Sequence, residues 1–228
     1  MNDDQKQIYD TVRRYALERL QPGAAAREKR CAIEPEVFSA LAEMGILGLT
    51  VAPEYDGAGA DYVSYALALM AIAEGDGAVS TVVSVHNAPF CAILERYGSA
   101  AQKAEVLRPA ARGEFIGAFA LTEAHAGSDA SAIRTRARRT AQGYVLDGAK
   151  QFITSGKIAR YAIVFAVTDA ASAKNGITAF LVPTDAKGYS VTKVEHKAGQ
   201  NASDTCSLAF DGLELPASCR IGAEGAGY

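Results

Sequence analysis

The sequence predicts an α+β protein of two domains, an N-terminal all-α helical bundle over residues 1–114 followed by an antiparallel β-barrel or sandwich domain over residues 115–228. Three observations carry this. Apolar residues recur at helical spacing up to about residue 113 and lose that spacing from Phe115 onward. Short runs of β-branched and aromatic residues separated by turn signals replace it. No segment between those runs is long and amphipathic enough to be a crossover helix, which argues against a parallel βαβ sheet. A length of 228 residues fits one large domain or two small ones, so the change of period decides the count.

The helical half opens with Ile8, Val12, Tyr15, Ala16 and Leu20 on one face, and Pro22-Gly23 is expected to stop that helix. A second helix starts with Pro35 in its first turn, buries Val37, Phe38, Leu41 and Met44, and meets Gly45 where a left-handed cap would sit. Residues 51–60, with Pro53, Gly57 and Gly59, read as a loop. Asp61 is placed to cap a third helix whose run from Tyr65 to Ala73 is apolar nearly all round, the pattern of a central buried helix. Gly75-Asp76-Gly77 ends it, with Glu74 and Asp76 read as a solvated cap. The next helical stretch is expected to break near Pro89 and resume to Tyr97. Ser99 and Gln102 then form a capping-box signature ahead of Val106 and Leu107.

In the second half, strands are expected at 115–119, 144–146, 151–154, 161–168, 177–182, 189–194 and 207–210. Asp147-Gly148, Asn175-Gly176 and Asp211-Gly212 are hairpin or turn dipeptides. Arg134, Arg136 and Arg138 alternate, with Arg139 adjacent, as on the solvent face of a strand.

With 49% hydrophobic and 21% charged residues, disorder and collagen-like repeats are excluded. The balance of 23 Lys and Arg against 26 Asp and Glu gives a net charge of -3, so neither nucleic acid nor an anionic membrane is an expected partner. The longest unbroken apolar run, Ala66 to Ala73, is well short of the ~20 residues that span a bilayer. The polar start Asn2-Asp3-Asp4-Gln5-Lys6 lacks a signal-peptide pattern, and a cytoplasmic location is the default. Cys31, Cys91, Cys206 and Cys219 are too far apart for a CxxC pair or zinc knuckle and read as reduced small hydrophobes; no spacing suggests a metal site.

The segment with chemical promise is Ala120-Leu121-Thr122-Glu123-Ala124-His125-Ala126-Gly127-Ser128-Asp129, directly after an apolar strand. A strand running into a turn with Gly127 lets backbone approach a ligand, while the Thr122 and Ser128 hydroxyls offer donors to an anion or a heteroaromatic edge. Such turns also arise for purely local reasons. This stretch resembles the flavin-binding signature of the acyl-CoA dehydrogenase family, close to A-L-T-E-P-x-A-G-S-D. Two further stretches follow in order. Residues 147–155, Asp147-Gly148-Ala149-Lys150-Gln151-Phe152-Ile153-Thr154-Ser155, are similar to the family's N-G-x-K-x-W-I-T-N, and Lys197 to Thr205 is similar to K-x-G-x-R-x-S-x-T.

The resemblance implies an FAD-dependent enzyme that dehydrogenates an acyl-CoA thioester to a trans-2-enoyl-CoA, with hydride passing to flavin N5. By it, Phe119, Leu121, Thr122, Gly127 and Ser128 line the FAD, with Ser128 also near the CoA part of the substrate. Phe152, Ile153 and Thr154 cover the other side of the ring, Thr154 near N5. It further implies an electron-transfer flavoprotein as acceptor, a homo-oligomer, and a Glu base in a C-terminal helical domain that these residues do not contain, so no catalytic residue is assigned. The chain departs from the family pattern at Ala124, which stands where a Pro is usual and should loosen the turn. It departs again at Phe152 in place of Trp and at Asn201, which removes any ion pair from that position. His125 reads as a surface turn residue. A flavin oxidase or monooxygenase on the same fold, and a non-catalytic module binding an acyl thioester or a partner chain, stay open.

Overall fold

The computed structural model describes the backbone of residues 1–228 and the side chains of all but residues 173 and 174. Two compact units result. The first contains Met1–Glu95, Ala100–Phe115 and His196–Asp204; the second contains Arg96–Ser99, Ile116–Glu195 and Thr205–Tyr228. Residues 196–204, inside the stretch assigned by sequence to the β domain, therefore pack with the helices.

In the helical unit, Asn2 and Gln5 form a reciprocal capping box at the start of α1 (Asp3–Tyr15). Pro22-Gly23 does not stop the helical path. A π-helical turn (Ala16–Leu20) and a 3₁₀ turn (Gln21–Gly23) carry it into α2 (Ala24–Arg30), because Pro22 lies in the first turn of a new helical segment, where no N–H is needed. The helix ends at Cys31, in the left-handed region and exposed, unlike the other three cysteines. Pro35 opens α3 (Pro35–Glu43), and Gly45 after it has φ 72°. Asp61 caps α4 (Tyr62–Gly75) by accepting from the Ser64 N–H at 2.7 Å.

Helix α4 is not covered on all sides. Tyr65, Ala68, Ala71 and Ile72 are buried, while Tyr62, Val63 and Met70 are exposed. Apolar character all round gives no direction, so the sequence does not say which face is left open. Nor is Asp76 solvated. It is buried, its Oδ1 caps α5 (Gly77–Val85) by accepting from Ala78 at 2.9 Å and Val79 at 3.3 Å, and its Oδ2 pairs with the buried Arg27 Nε at 2.7 Å. Glu74 is exposed and pairs with Arg13. Pro89 falls in a π-helical turn (His86–Cys91) that joins α5 to α6 (Ala92–Tyr97), so the helix is deformed rather than broken. The resulting run Gly77–Tyr97, 21 residues, is long and apolar enough by composition to cross a membrane, a property hidden from a search for unbroken apolar runs. Its middle is already engaged: the buried Asn87 donates to the Ile46 carbonyl and accepts from the Leu49 N–H. Short α7 (Ala100–Gln102) and α8 (Arg108–Ala111) complete the helices.

The second unit carries one eight-stranded sheet: β1 (Gly117–Ala120), β2 (Arg136–Arg139), β3 (Gly143–Thr154), β4 (Tyr161–Val167), β5 (Ile177–Pro183), β6 (Tyr189–Val194), β7 (Thr205–Pro216) and β8 (Arg220–Ile221), in the order β6-β7-β3-β2-β4-β5-β8 with β1 also on β4. It is mixed rather than antiparallel, since β1 and β2 both run parallel to β4. Parallel neighbours need a long connection but not a helical one; between β1 and β4 the chain returns through the β2–β3 pair. Leu146, Ile153, Val164, Phe180, Leu208 and Phe210 form its core.

The Asp-Gly dipeptides at 147 and 211 are not hairpins. They face each other inside the long β3–β7 pair, where Asp211 and Gly212 together oppose Asp147. Gly212 has φ 57° and donates its N–H to Asp147 Oδ1 at 2.8 Å, the arrangement of a bulge with a left-handed glycine. The same chemistry that favours a tight turn also favours this bulge, which is why dipeptide reading alone misplaced it and divided β3 in two.

Candidate functional site

Strand β1 delivers the chain into the 121–135 loop at the edge of its parallel pairing with β4. The first turn of the loop is closed by two backbone hydrogen bonds between Glu123 and Ala126, each 3.0 Å, with Ala124 and His125 exposed at its tip. The turn is thus held firmly with Ala124 in place of proline. His125 is a surface residue with Nε2 3.5 Å from Glu123 Oε2. Asp129 accepts from the Ser131 N–H and starts a 3₁₀ turn, a local role.

The residues singled out from sequence fall into two segments of this unit. In the first, the half-buried Phe119 packs edge-on against Phe165, with ring centroids 5.2 Å apart. Leu121 and Thr122 are half-buried, and Gly127 and Ser128 are exposed. Among the described residues the Thr122 and Ser128 hydroxyls have no hydrogen-bond partner. At Gly127 no atom lies within 4 Å of where a Cβ would stand, so the chain itself does not require glycine, and the space is open to atoms from outside it.

In the second segment, β3 carries a bulge in which Gln151 and Phe152 together oppose Ser207 of β7. Phe152 has φ 60° and is 58% exposed. A bulky aromatic in the left-handed region costs about 1–2 kcal/mol and persists only where its surroundings dictate it. The bulge turns the ring out of the sheet and reverses the inward–outward phase of the strand, so Ile153 points into the core. From position 153 only the backbone can reach a ligand. Thr154 is half-buried beside it, and the buried Ser155 Oγ has no hydrogen-bond partner.

The two segments are bonded to each other. The Gln151 N–H donates to the Thr122 carbonyl at 2.9 Å, and Lys150 Nζ donates to the Leu121 carbonyl at 3.0 Å and to Glu123 Oε1 at 2.7 Å. Glu123 also accepts from the Arg134 N–H at 2.6 Å and the Thr135 N–H at 3.0 Å. Burial pushes the Lys150 ammonium down to about 8, opposed by the Glu123 carboxylate. Burial raises the Glu123 carboxyl, but the bonds from Lys150, Thr135 and Arg134 outweigh it and hold the group below its usual value. Both are therefore charged near pH 7. Sequence reading missed this pair. The available signal was Lys150 at the same parity as the inward Tyr144 and Leu146.

Of the third motif, residues 197–204 belong to the helical unit, while Thr205 opens β7. Asn201 donates its N–H and Nδ2 to the two carboxylate oxygens of Glu28 at 2.7 and 2.5 Å, so a polar link to an acid exists where an ion pair was excluded. Lys197 Nζ is taken by the Ser203 carbonyl at 2.7 Å.

Unpartnered hydroxyls, open space at a glycine and an exposed aromatic ring held in a strained backbone form a set suited to a planar heteroaromatic ligand with an anionic tail. The family model for the N-terminal domain of acyl-CoA dehydrogenase matches residues 2–114, and that for the middle domain matches residues 118–213. An acyl-CoA dehydrogenase of Bacillus subtilis is 36% identical over 228 residues, which are 100% of this chain and 60% of that protein. A chain solved in work on the electron transferring flavoprotein of Acidaminococcus fermentans superposes with TM-score 0.96 at 34% identity, covering 100% of this chain and 60% of that one. A glutaryl-CoA dehydrogenase from Mycobacterium smegmatis, in complex with FADH2, superposes with TM-score 0.92 at 37% identity, covering 99% and 57%. The chain thus spans about 60% of the length of the relatives it matches. With two domain models of one family matched in order over most of its residues, the chain belongs to the acyl-CoA dehydrogenase family.

Proposed function

We propose that this chain holds FAD and orients an acyl-CoA thioester for α,β-dehydrogenation to a trans-2-enoyl-CoA, with residues 115–228 as the flavin-holding domain. The observation that carries this is the β3 bulge, which turns the Phe152 ring outward next to the loop bearing Thr122. FAD, when bound, supplies the acceptor for the hydride leaving the β-carbon. The Thr122 hydroxyl and the backbone of the 121–128 turn hydrogen-bond the ring edge, which favours an electron-rich ring. Phe152, with Phe119 and Leu121, keeps water from the ring, and the Thr154 hydroxyl lies on the same segment as Phe152. Ser128 donates to phosphate oxygens of the dinucleotide and of the CoA. The α-proton passes to a carboxylate, and no carboxylate of this chain is assigned that role; Glu123 is committed to Lys150 and two N–H groups. An electron-transfer flavoprotein as acceptor, a homo-oligomeric state and a cytoplasmic location belong to the same proposal, the first supported by the likeness to a chain solved in work on such a protein.

The test is titration of the purified chain with FAD, followed through flavin absorbance and fluorescence, and then anaerobic addition of a saturated acyl-CoA. Saturable uptake, weakened in Phe152→Ala, and a change in the visible flavin band on adding acyl-CoA are expected. Failure to take up FAD overturns the flavin reading; uptake with a band indifferent to acyl-CoA overturns the substrate reading.

A further inference from the structure

Lys150–Glu123 is, among the described residues of the second unit, the one ion pair with both side chains buried, 0% and 4% exposed. It lies at a joint rather than in the middle of the core. Leu121, Thr122 and Glu123 are each bonded to residue 150 or 151, and the next residue along β3 is Phe152. The far end of the same loop is tied in as well, since Glu123 accepts from Arg134 and Thr135, and the Thr135 hydroxyl donates to the Ala149 carbonyl at 3.3 Å.

Stability alone gives a poor reason for such a pair. An apolar pair of similar volume is often as stabilising, because taking two charges out of water offsets their attraction. What charged hydrogen bonds add is direction, and direction is what a bulge lacks. Moving the bulge by one residue would turn Phe152 into the core and Ile153 out to solvent, since side chains alternate along a strand. An ammonium fastened to Leu121 and Glu123 fixes which residue precedes the bulge.

We propose that the Lys150–Glu123 pair is a positioning device for the flavin site: it pins the bulge at Gln151–Phe152 against the Thr122 loop, so that both segments meet the ligand in a fixed relation. The pair acts through Thr122 and Phe152 and does not itself touch the ligand. Its functional meaning rests on the flavin reading; the pinning does not.

The test therefore has two arms, applied to wild type, Lys150→Met and Glu123→Gln. Glu123→Gln keeps one acceptor oxygen for the Arg134 or the Thr135 amide and serves if Lys150→Met fails to fold. In the first arm, hydrogen–deuterium exchange without flavin should show residues 119–128 and 150–155 losing protection together while β4 and β5 keep theirs. An unchanged pattern, or loss across the whole sheet, overturns the proposal; the latter outcome would make the pair a general strut. In the second arm, FAD affinity should fall on the order of tenfold or more, the scale seen when groups that orient ligands are removed, and the visible circular dichroism of bound flavin should change. Segments released with FAD affinity and dichroism unchanged overturn the functional role. A wild type that takes up no FAD instead refutes the flavin reading, and the exchange arm still decides whether the pair pins the bulge.

Discussion

Acidification should weaken the helical unit through one residue, His86. Its imidazole is 0% exposed, stacks on Phe90 with centroids 6.0 Å apart, and has Nε2 3.0 Å from the Ala110 carbonyl, to which it donates as the neutral ring. Burial lowers its pKa from 6.5 to about 4, against a smaller raising effect of the Ala110 and Leu47 backbone. Below about pH 6.5 the unfolded chain binds a proton that the native state refuses until about pH 4, so stability is lost as pH falls through that window and is fully present above it. The difference in pKa corresponds to about 3 kcal/mol across the window. The assay is urea unfolding followed by far-ultraviolet circular dichroism, which reports the helices, at pH 7 and at steps down to about pH 4, for wild type and His86→Gln. Glutamine retains a donor and does not titrate. Other groups titrate in acid as well, so the informative quantity is the stability of wild type minus that of the variant, which should fall by about 3 kcal/mol from pH 7 to about pH 4. Parallel pH dependences, or a native His86 ring signal titrating near its unfolded value, would refute the reasoning.

Three further outcomes are expected. Asp76→Ala removes the α5 cap and leaves Arg27 buried without its close partner, so urea unfolding should show a loss of about 3–5 kcal/mol, while Glu74→Ala, at an exposed and solvent-screened pair, should cost far less. Native alkylation followed by peptide mapping should mark Cys31, which is exposed, and spare the fully buried Cys91, whose thiol burial pushes upward, and Cys206; equal labelling would contradict the packing. Phe152→Gly should leave stability within about 1 kcal/mol of wild type, because it relieves a left-handed aromatic that buries little. Ile153→Ala, one residue away but in the core, should cost about 2–4 kcal/mol in the same measurement.

The starts of α3 and α4 and the end of α3 were legible because each is written in a few adjacent residues: Pro35 and Asp61 stand where the helix starts need them, and Gly45 takes the left-handed position assigned to it. What depends on distant partners was not. Asp76 reads as a solvated cap until Arg27 is seen to arrive from α2, and α4 reads as enclosed until its outer face is seen uncovered. The two Asp-Gly dipeptides read as hairpins or turns and not as halves of one bulge, since the bulge depends on the strand opposite. At the candidate site, Thr122 and Phe152 were found through motif wording. The Lys150–Glu123 bond between their segments was not, although both residues lie inside the quoted motifs, because a sequence gives no pairing between positions 27 apart.

The assignment of residues 196–204 to the helical unit bears on how the protein is made. A ribosome that has released residues 1–115 has not yet produced the last piece of that unit: Asn201 bonds Glu28, and the Gln200 side chain accepts from the Thr81 hydroxyl at 2.8 Å. The helices must wait through the synthesis of six strands before these links can close, which at typical elongation rates is a delay of several seconds or more. A cut near residue 115 accordingly separates the chain but not the two folding units, and a helical fragment made that way would expose Glu28 and Thr81 without these partners.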